Sequence, residues 1–237
     1  MTLALENISA SYGDKQVLRG ITTSCEPNQL IALIGPNGSG KSTLLKAIAG
    51  LIPHSGQVNL PKDPKSRSRA LAYLGQNSTA PDRRLVGDVV TLGRTPFIGR
   101  FSKLTQNDHK IIQNSLSICE VDAFSDREFG SLSGGEKMRV HLARTFATDA
   151  PLILADEPVT ALDPYFQIAI MDILKSQSKG GRLIIIALHD LNLARKYADH
   201  IWVVDAGKIV KDDVTSKALS DEILAEVFRI TPDGNRL

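Results

Sequence analysis

Apolar residues along the chain fall into short runs set off by Gly, Pro, Asp and Asn, and few of those runs alternate. Leu3–Ser9 alternates loosely, as a strand with one covered face does. Leu30–Ile34 is apolar throughout, which predicts a strand buried on both faces. It runs directly into a Gly-rich stretch, and Ser42–Ala49 then repeats apolar residues at helical spacing until Gly50 stops it. Residues 52–72 are rich in Pro, Ser and basic side chains and predict turns and edge strands. From 77 to 130 the chain is polar and loop-rich, with a helix expected over Asp108–Ile118. Beyond that point helical and strand patterns alternate regularly. A helix over Glu136–Thr148 leads through Asp149-Ala150-Pro151 into a buried strand, Leu152–Ala155. Asp163-Pro164 supplies an N-cap and a proline at N1 for a helix that ends at Gly180-Gly181. Strand Arg182–Leu188, helix Asp190–Ala198 and strand Ile201–Val204 follow, then a turn at Ala206-Gly207 and a frayed tail over Thr231–Leu237.

Strands alternating with helices predict an α/β domain with a largely parallel sheet. Composition changes that picture little. The 237 residues allow one large domain or two small ones, and 42% hydrophobic with 23% charged residues leave a sizeable core and no expectation of disorder. With 28 Lys plus Arg against 26 Asp plus Glu, the net charge of +2 gives no argument for nucleic acid or anionic lipid. The longest apolar runs, such as Leu183–Leu188, fall far short of the roughly 20 residues a membrane-spanning helix needs. The first residues, MTLALENISASY, lack the basic and long apolar segments of a secretory signal. Cys25 and Cys119 form neither a disulfide framework nor a metal-ligand spacing. A soluble, cytosolic chain is the expectation; its chemistry must come from motifs.

Gly35-Pro36-Asn37-Gly38-Ser39-Gly40-Lys41-Ser42 fits G-x-x-x-x-G-K-[ST], with a strand before it and a helix after. Glycines let backbone N–H groups wrap a β-phosphate without Cβ clashes, and the helix N-terminus adds positive potential. Lys41 supplies a mobile charge for the β- and γ-phosphates, and the Ser42 hydroxyl suits Mg2+. Leu152–Ala155 leads into two adjacent carboxylates, Asp156 and Glu157. Laid next to the phosphate-loop strand, this strand would deliver both to the sheet edge where α/β proteins bind ligands. Neighbouring strand residues point to opposite faces, so Asp156 is expected to hold Mg2+, usually through water, and Glu157 to polarise the attacking water. Ser133-Gly134-Gly135 opens a helix with hydroxyl and amide donors, a second anion site. Two phosphate-binding loops with one set of carboxylates point to a head-to-tail dimer, each copy's Ser133 loop closing over its partner's nucleotide.

The phosphate loop, Leu132-Ser133-Gly134-Gly135-Glu136 and Leu152-Ile153-Leu154-Ala155-Asp156-Glu157-Pro158, in this order, resemble the ATP-binding cassette (ABC) ATPases over nearly the whole chain. The resemblance implies an α/β P-loop NTPase core with an N-terminal antiparallel β region and an inserted helical subdomain. That makes residues 1–237 a single domain with a mainly helical lobe at about 77–148. It implies ATP and Mg2+ as well, with Gly35 through Thr43 of one copy and Ser133, Gly134, Gly135 and Asp163 of the other around the nucleotide. In that family a glutamine after an early strand touches Mg2+ and reports nucleotide state to a partner; Gln76 in Ala72-Tyr73-Leu74-Gly75-Gln76 matches it. Asp163 in Ala161-Leu162-Asp163 matches an aspartate that contacts the opposite subunit, besides capping its helix. His189 matches a histidine that contacts the γ-phosphate, where it can donate to the transferring group. Tyr12 in Ser11-Tyr12-Gly13 is placed like the aromatic that stacks on adenine, with core packing at a strand end as the alternative. His54, His109, His141 and His200 match no motif. Departures are Ala155 where the family often has a larger aliphatic residue, Glu136 where Gln is common, and the linker Pro158-Val159-Thr160. None degrades a catalytic position, which implies an active ATPase.

A lone cassette without heptads or Cys clusters points to the motor of a transporter whose spanning subunits are separate chains, with a soluble adaptor as the alternative. Val90-Thr91-Leu92-Gly93-Arg94-Thr95-Pro96-Phe97, followed by Gly99 and Arg100, resembles importers of iron–siderophore, haem and cobalamin, as does Leu188-His189-Asp190-Leu191-Asn192-Leu193-Ala194. Zinc and manganese importers share much of this pattern. The expected partners are a second copy, integral permease subunits docked in a groove near Gln76–Phe101 and, through them, a substrate-binding protein, but no nucleic acid. The expected location is peripheral, on the cytoplasmic face of the inner membrane. No residue of the cassette is expected to touch the cargo.

Overall fold

The computed structural model describes residues 2–99 and 102–231. In chain order the strands are β1 (Leu3–Tyr12), β2 (Lys15–Cys25), β3 (Leu30–Ile34), β4 (Ser55–Val58), β5 (Leu71–Leu74), β6 (Leu152–Asp156), β7 (Leu183–Ala187), β8 (His200–Asp205) and β9 (Lys208–Val214). The helices are α1 (Lys41–Ala49), α2 (Pro64–Ala70), α3 (Val86–Thr91), α4 (Gln106–Ile118), α5 (Gly134–Phe146), α6 (Pro164–Lys179), α7 (Leu191–Tyr197) and two short pieces, α8 (Thr215–Ala218) and α9 (Asp221–Ile223). Strands β2-β1-β4 form an antiparallel sheet, and β5-β6-β7-β3-β8-β9 a second sheet that is parallel except for the final β8–β9 hairpin. This is the α/β architecture that the alternating pattern predicts.

All five residues of β3 are buried, and alternate side chains serve two cores. Leu30, Ala32 and Ile34 face a core shared with α5 and α6, while Ile31 and Leu33 face one shared with α1 and the antiparallel sheet. A run without polar positions is what burial on both faces requires. Parallel register then sets the site: Leu33 and Asp156 both pair with Ala187, so β3, β6 and β7 finish at one edge.

Four features differ from the sequence expectation. The Asp156 strand is not next to the phosphate-loop strand, because β7 lies between them. Contact is made across the sheet face instead, where Leu44 and Leu45 of α1 share a core with Leu154. Residues 64–70 are helical rather than edge strand, opened by Asp63, whose carboxylate accepts from Ser66 N at 2.8 Å. No residue of α2 is buried, so no apolar period marks it. Strands β2 and β9 have no counterpart in the expected elements; both carry many exposed polar residues at a sheet edge. After α9, Leu224–Phe228 form a π-helical turn. The expected tail begins at Thr231, and residues 232–237 lie outside the described part.

Helices α3, α4 and α5 pack into one cluster with Val86, Val89, Val90, Ile112, Leu116, Val140 and Phe146 inside. A buried ion pair pins it: Arg94 Nε donates to Asp108 Oδ1 at 2.8 Å and Nη1 to the Ala147 carbonyl at 3.0 Å. Hydrogen bonds from Thr105 and the Arg94 charge hold Asp108 down to about 2.

Candidate nucleotide and catalytic site

The loop between β3 and α1 is shaped by glycines that no other residue could replace. Gly35 has φ 152° and its missing Cβ would strike the Val204 carbonyl; Gly40, at φ 113°, is the N-cap of α1. Lys41 is buried, and its ammonium donates to the carbonyls of Gly35 at 2.8 Å and Pro36 at 3.1 Å. An ammonium has three donors, so one remains for an anion seated in the loop. Burial pushes the Lys41 pKa down, while the nearby charges of Glu157 and Asp156 oppose that shift. Ser39 Oγ is buried without a hydrogen-bond partner among the described residues, a second polar atom suited to a phosphate oxygen. A cleft of about 360 Å³ opens beside the loop, lined by Lys15, Val17, Arg19, Lys41, Thr43 and Gly207. Tyr12 stands outside that cleft at the end of β1 with half its surface exposed, 52%, which excludes core packing as its role.

Asp156 is buried at the end of β6 with both oxygens engaged. Oδ1 accepts from Ser42 Oγ at 2.8 Å and Oδ2 from the Tyr73 hydroxyl at 3.2 Å. Tyr73 is a site residue without a motif. Burial, and then the Asp156 charge, push its pKa well up, so it remains a protonated donor.

Glu157 lies just past the strand in the left-handed region, φ 55°. Strand alternation therefore does not separate the two carboxylates; a turn does. Such a conformation costs a non-glycine residue about 1–2 kcal/mol. Three side chains hold the carboxylate there. Gln76 Nε2 donates to Oε2 at 2.8 Å, Thr160 Oγ1 donates to the same oxygen at 3.3 Å, and His189 Nε2 contacts Oε1. Thr160, like Tyr73, gives no motif signal.

The Ser133 loop is built as a capping box. Glu136 N donates to Ser133 Oγ at 3.3 Å, and Ser133 N donates to Glu136 Oε2 at 2.8 Å. Hydrogen bonds from the Ser133 backbone and side chain hold the Glu136 carboxyl below its ordinary range, and a Gln here would close the same box. Gly135 lies against the Phe166 ring, where a Cβ would collide, whereas a Cβ at Gly134 would meet only Leu162 Cδ2 at 4.0 Å, an ordinary contact. Asp163 caps α6 by accepting from Phe166 N at 3.1 Å. The Ser133 loop and Asp163 thus share one edge. Among the described residues, no side-chain hydrogen bond joins that edge to Lys41 or Ser42.

The family model for ABC transporters matches residues 18–160. The chain belongs to the ABC transporter family. ATP-binding subunits of this family hydrolyse ATP, and the cassette is an ATPase. It is 35% identical over 235 residues to the hemin import ATP-binding protein HmuV of Rhodococcus jostii strain RHA1, covering 96% of this chain and 80% of that one. The iron(3+)-hydroxamate import ATP-binding protein FhuC of Bacillus subtilis strain 168 is 32% identical over 237 residues, covering 97% and 88%. A cassette from an inward-facing ABC transporter described as of the metal-chelate type superposes with TM-score 0.84 at 26% identity, covering 97% of this chain and 89% of that one. Among the described residues of the cassette no helix is long and apolar enough to cross a membrane.

Proposed function

We propose that the cassette is the ATP-hydrolysing motor of an importer for a metal chelate such as haem or an iron–siderophore complex. It works as a head-to-tail pair on the cytoplasmic face of the inner membrane, as one domain whose lobe at 77–148 faces the permease. The convergence of Gln76, Thr160 and His189 on Glu157 supports ATP hydrolysis, and likeness to hemin and iron(3+)-hydroxamate import ATP-binding proteins supports the cargo class. Glu157 orients the attacking water and accepts its proton, while Gln76 and His189 keep the carboxylate aimed. Lys41 and the N–H groups of 35–43 neutralise charge on the β- and γ-phosphates. Tyr12 stacks on the adenine. Ser42, Asp156 and the Gln76 carbonyl oxygen, left free because Nε2 is on Glu157, form the all-oxygen donor set that suits Mg2+. Mg2+ held by these residues would supply positive charge to offset the charge developing on the phosphate oxygens.

Ser133, Gly134, Gly135 and Asp163 of one copy close over the phosphate loop of the other. Separate permease subunits dock on the exposed Leu85, Leu92 and Phe97, and a substrate-binding protein selects the cargo. The guanidinium groups of Arg69 and Arg94 lie 4.9 Å and 3.9 Å from the Phe97 ring centroid, cation–π contacts that favour its placement at this surface. Arg100 and Phe101, at the end of the expected groove, lie outside the described residues.

Complementation tests both parts of this reading. In cells lacking the gene, the wild-type chain should restore growth on haem or a ferric hydroxamate as sole iron source. Glu157→Gln should not, although the purified variant still binds ATP. Growth on both sources without the gene would sink the cargo class; growth with Glu157→Gln would sink the base assignment.

A further inference from the structure

The stretch Gly93-Arg94-Thr95-Pro96-Phe97 has no part in the ATPase chemistry, yet its buried side is built onto the helix that starts at the Ser133 loop. Leu92–Phe97 form a 3-10 segment between α3 and α4, with Leu92 and Phe97 exposed and Gly93 and Arg94 buried. A Cβ at Gly93 would lie 2.3 Å from the Arg144 carbonyl oxygen and 2.8 Å from the Ala147 Cβ. The segment therefore touches the last turn of α5 backbone to backbone, with no room for a side chain between them.

Arg94 adds three contacts at the same place. Its Nη1 donates to the Ala147 carbonyl at 3.0 Å, one of the helix-end carbonyls that α5 cannot satisfy itself. Its Nε donates to Asp108 Oδ1 at 2.8 Å, and its guanidinium lies 3.9 Å from the Phe97 ring centroid. Asp108 is fixed in turn by Thr105, whose N and Oγ1 donate to Oδ2 at 2.8 and 2.6 Å. One buried side chain thus joins the end of α5, the start of α4 and the Phe97 ring. At the opposite end of α5 stands the Ser133 capping box, 13 residues or about 20 Å away. On the other flank, Arg69 of α2 donates to the Pro96 carbonyl at 3.0 Å, but that bond is exposed and competes with water.

We propose that Arg94 is a positioning residue that fastens the Phe97 face to the last turn of α5, so that displacement of the Ser133 loop by nucleotide is carried along α5 to that face. The inference rests on the reading above that Ser133 closes over the partner copy's nucleotide. It gives the buried arginine of this stretch a mechanical use: the face offered to the permease moves with α5 and not with α2.

Hydrogen exchange read by mass spectrometry tests this on the purified full chain, with and without MgATP, in a Glu157→Gln background that keeps ATP unhydrolysed. In that parent, MgATP should slow exchange at least about threefold both over 134–138 and over 92–98. Arg94→Gln puts an amide nitrogen where Nε stood, so Asp108 keeps a donor while Ala147 and Phe97 lose theirs. That variant should keep the slowing over 134–138, while 92–98 exchanges about tenfold faster and no longer responds to nucleotide. Arg69→Ala should keep both responses. Slowing over 134–138 alone in the parent, a response over 92–98 that survives Arg94→Gln, or its loss in Arg69→Ala would each overturn this inference alone. No slowing over 134–138 in the parent would overturn the Ser133 reading and this inference together. If Arg94→Gln fails to fold by circular dichroism, Gly93→Ala, which pushes the segment off α5 and leaves the ion pair intact, decides by the same readout.

Discussion

Asp156 shows how much of the candidate site lies in the residues that hold the motif ones. Ser42 occupies one of its oxygens and Tyr73 the other, which fixes the plane of the carboxylate. Removing the hydroxyl with Tyr73→Phe keeps the ring in place but frees Oδ2. A neutral donor to a charged acceptor contributes about 1.5 kcal/mol, so the apparent affinity for Mg2+ should fall about tenfold. Titrating Mg2+ against ATPase rate at saturating ATP checks this, and an unchanged midpoint would remove Tyr73 from the site. Lys41, Ser42, Asp156, Glu157, Gln76 and His189 could be named as candidates from the sequence because each matches a motif position, and the structure places Gln76 and His189 on Glu157 and Ser42 on Asp156. Tyr73 could not, since an aromatic in a buried strand reads as core. Only register reveals it: Tyr73 pairs with Leu154, two residues before Asp156 and on the same face of the sheet. The left-handed Glu157 was equally hidden, because glutamate carries no preference for positive φ.

At the level of elements, α5 and α6 meet where Gly135 lies on the Phe166 ring. A methyl group there forces the first turn of α5 away from the start of α6, and overpacking of this kind costs about 1–3 kcal/mol. Gly135→Ala should therefore lower Tm by about 3–10 °C, while Gly134→Ala, whose Cβ makes only an ordinary contact with Leu162, should leave Tm within a degree or so. Equal Tm values by calorimetry would refute the packing role of Gly135. Elements were legible in proportion to the apolar stripe they bury. Helices α1, α4, α5 and α6 each bury several residues and were read within two residues at each end. Helix α2 buries none, and its Asp63-Pro64 start repeats the Asp163-Pro164 signal without a stripe behind it. The order of strands could not be read locally, since adjacency of β6 and β7 is decided by which helices cross which face.

For the whole molecule, the separation of the Ser133 edge from the phosphate loop decides whether one chain can build a complete site. In the proposed head-to-tail pair, each site would take Lys41 from one copy and Ser133 from the other, and two-fold symmetry would make the sites equivalent. Two disabling substitutions then behave differently according to which chain carries them. Pairing a Lys41→Ala chain with a Ser133→Arg chain puts both defects into one site and leaves the other intact. Isolated through two affinity tags, that mixed pair should retain about half of wild-type turnover if the sites act independently, although each parent alone is inactive. Placing both substitutions in one chain and pairing it with a wild-type chain spoils one site through Lys41 and the other through Ser133, so that pair should be inactive. A site completed within a single chain predicts the reverse order, because the wild-type chain would then keep a whole site to itself. The two mixed pairs contain the same residues in the same numbers, so a difference in their turnover reports only which chain completes which site.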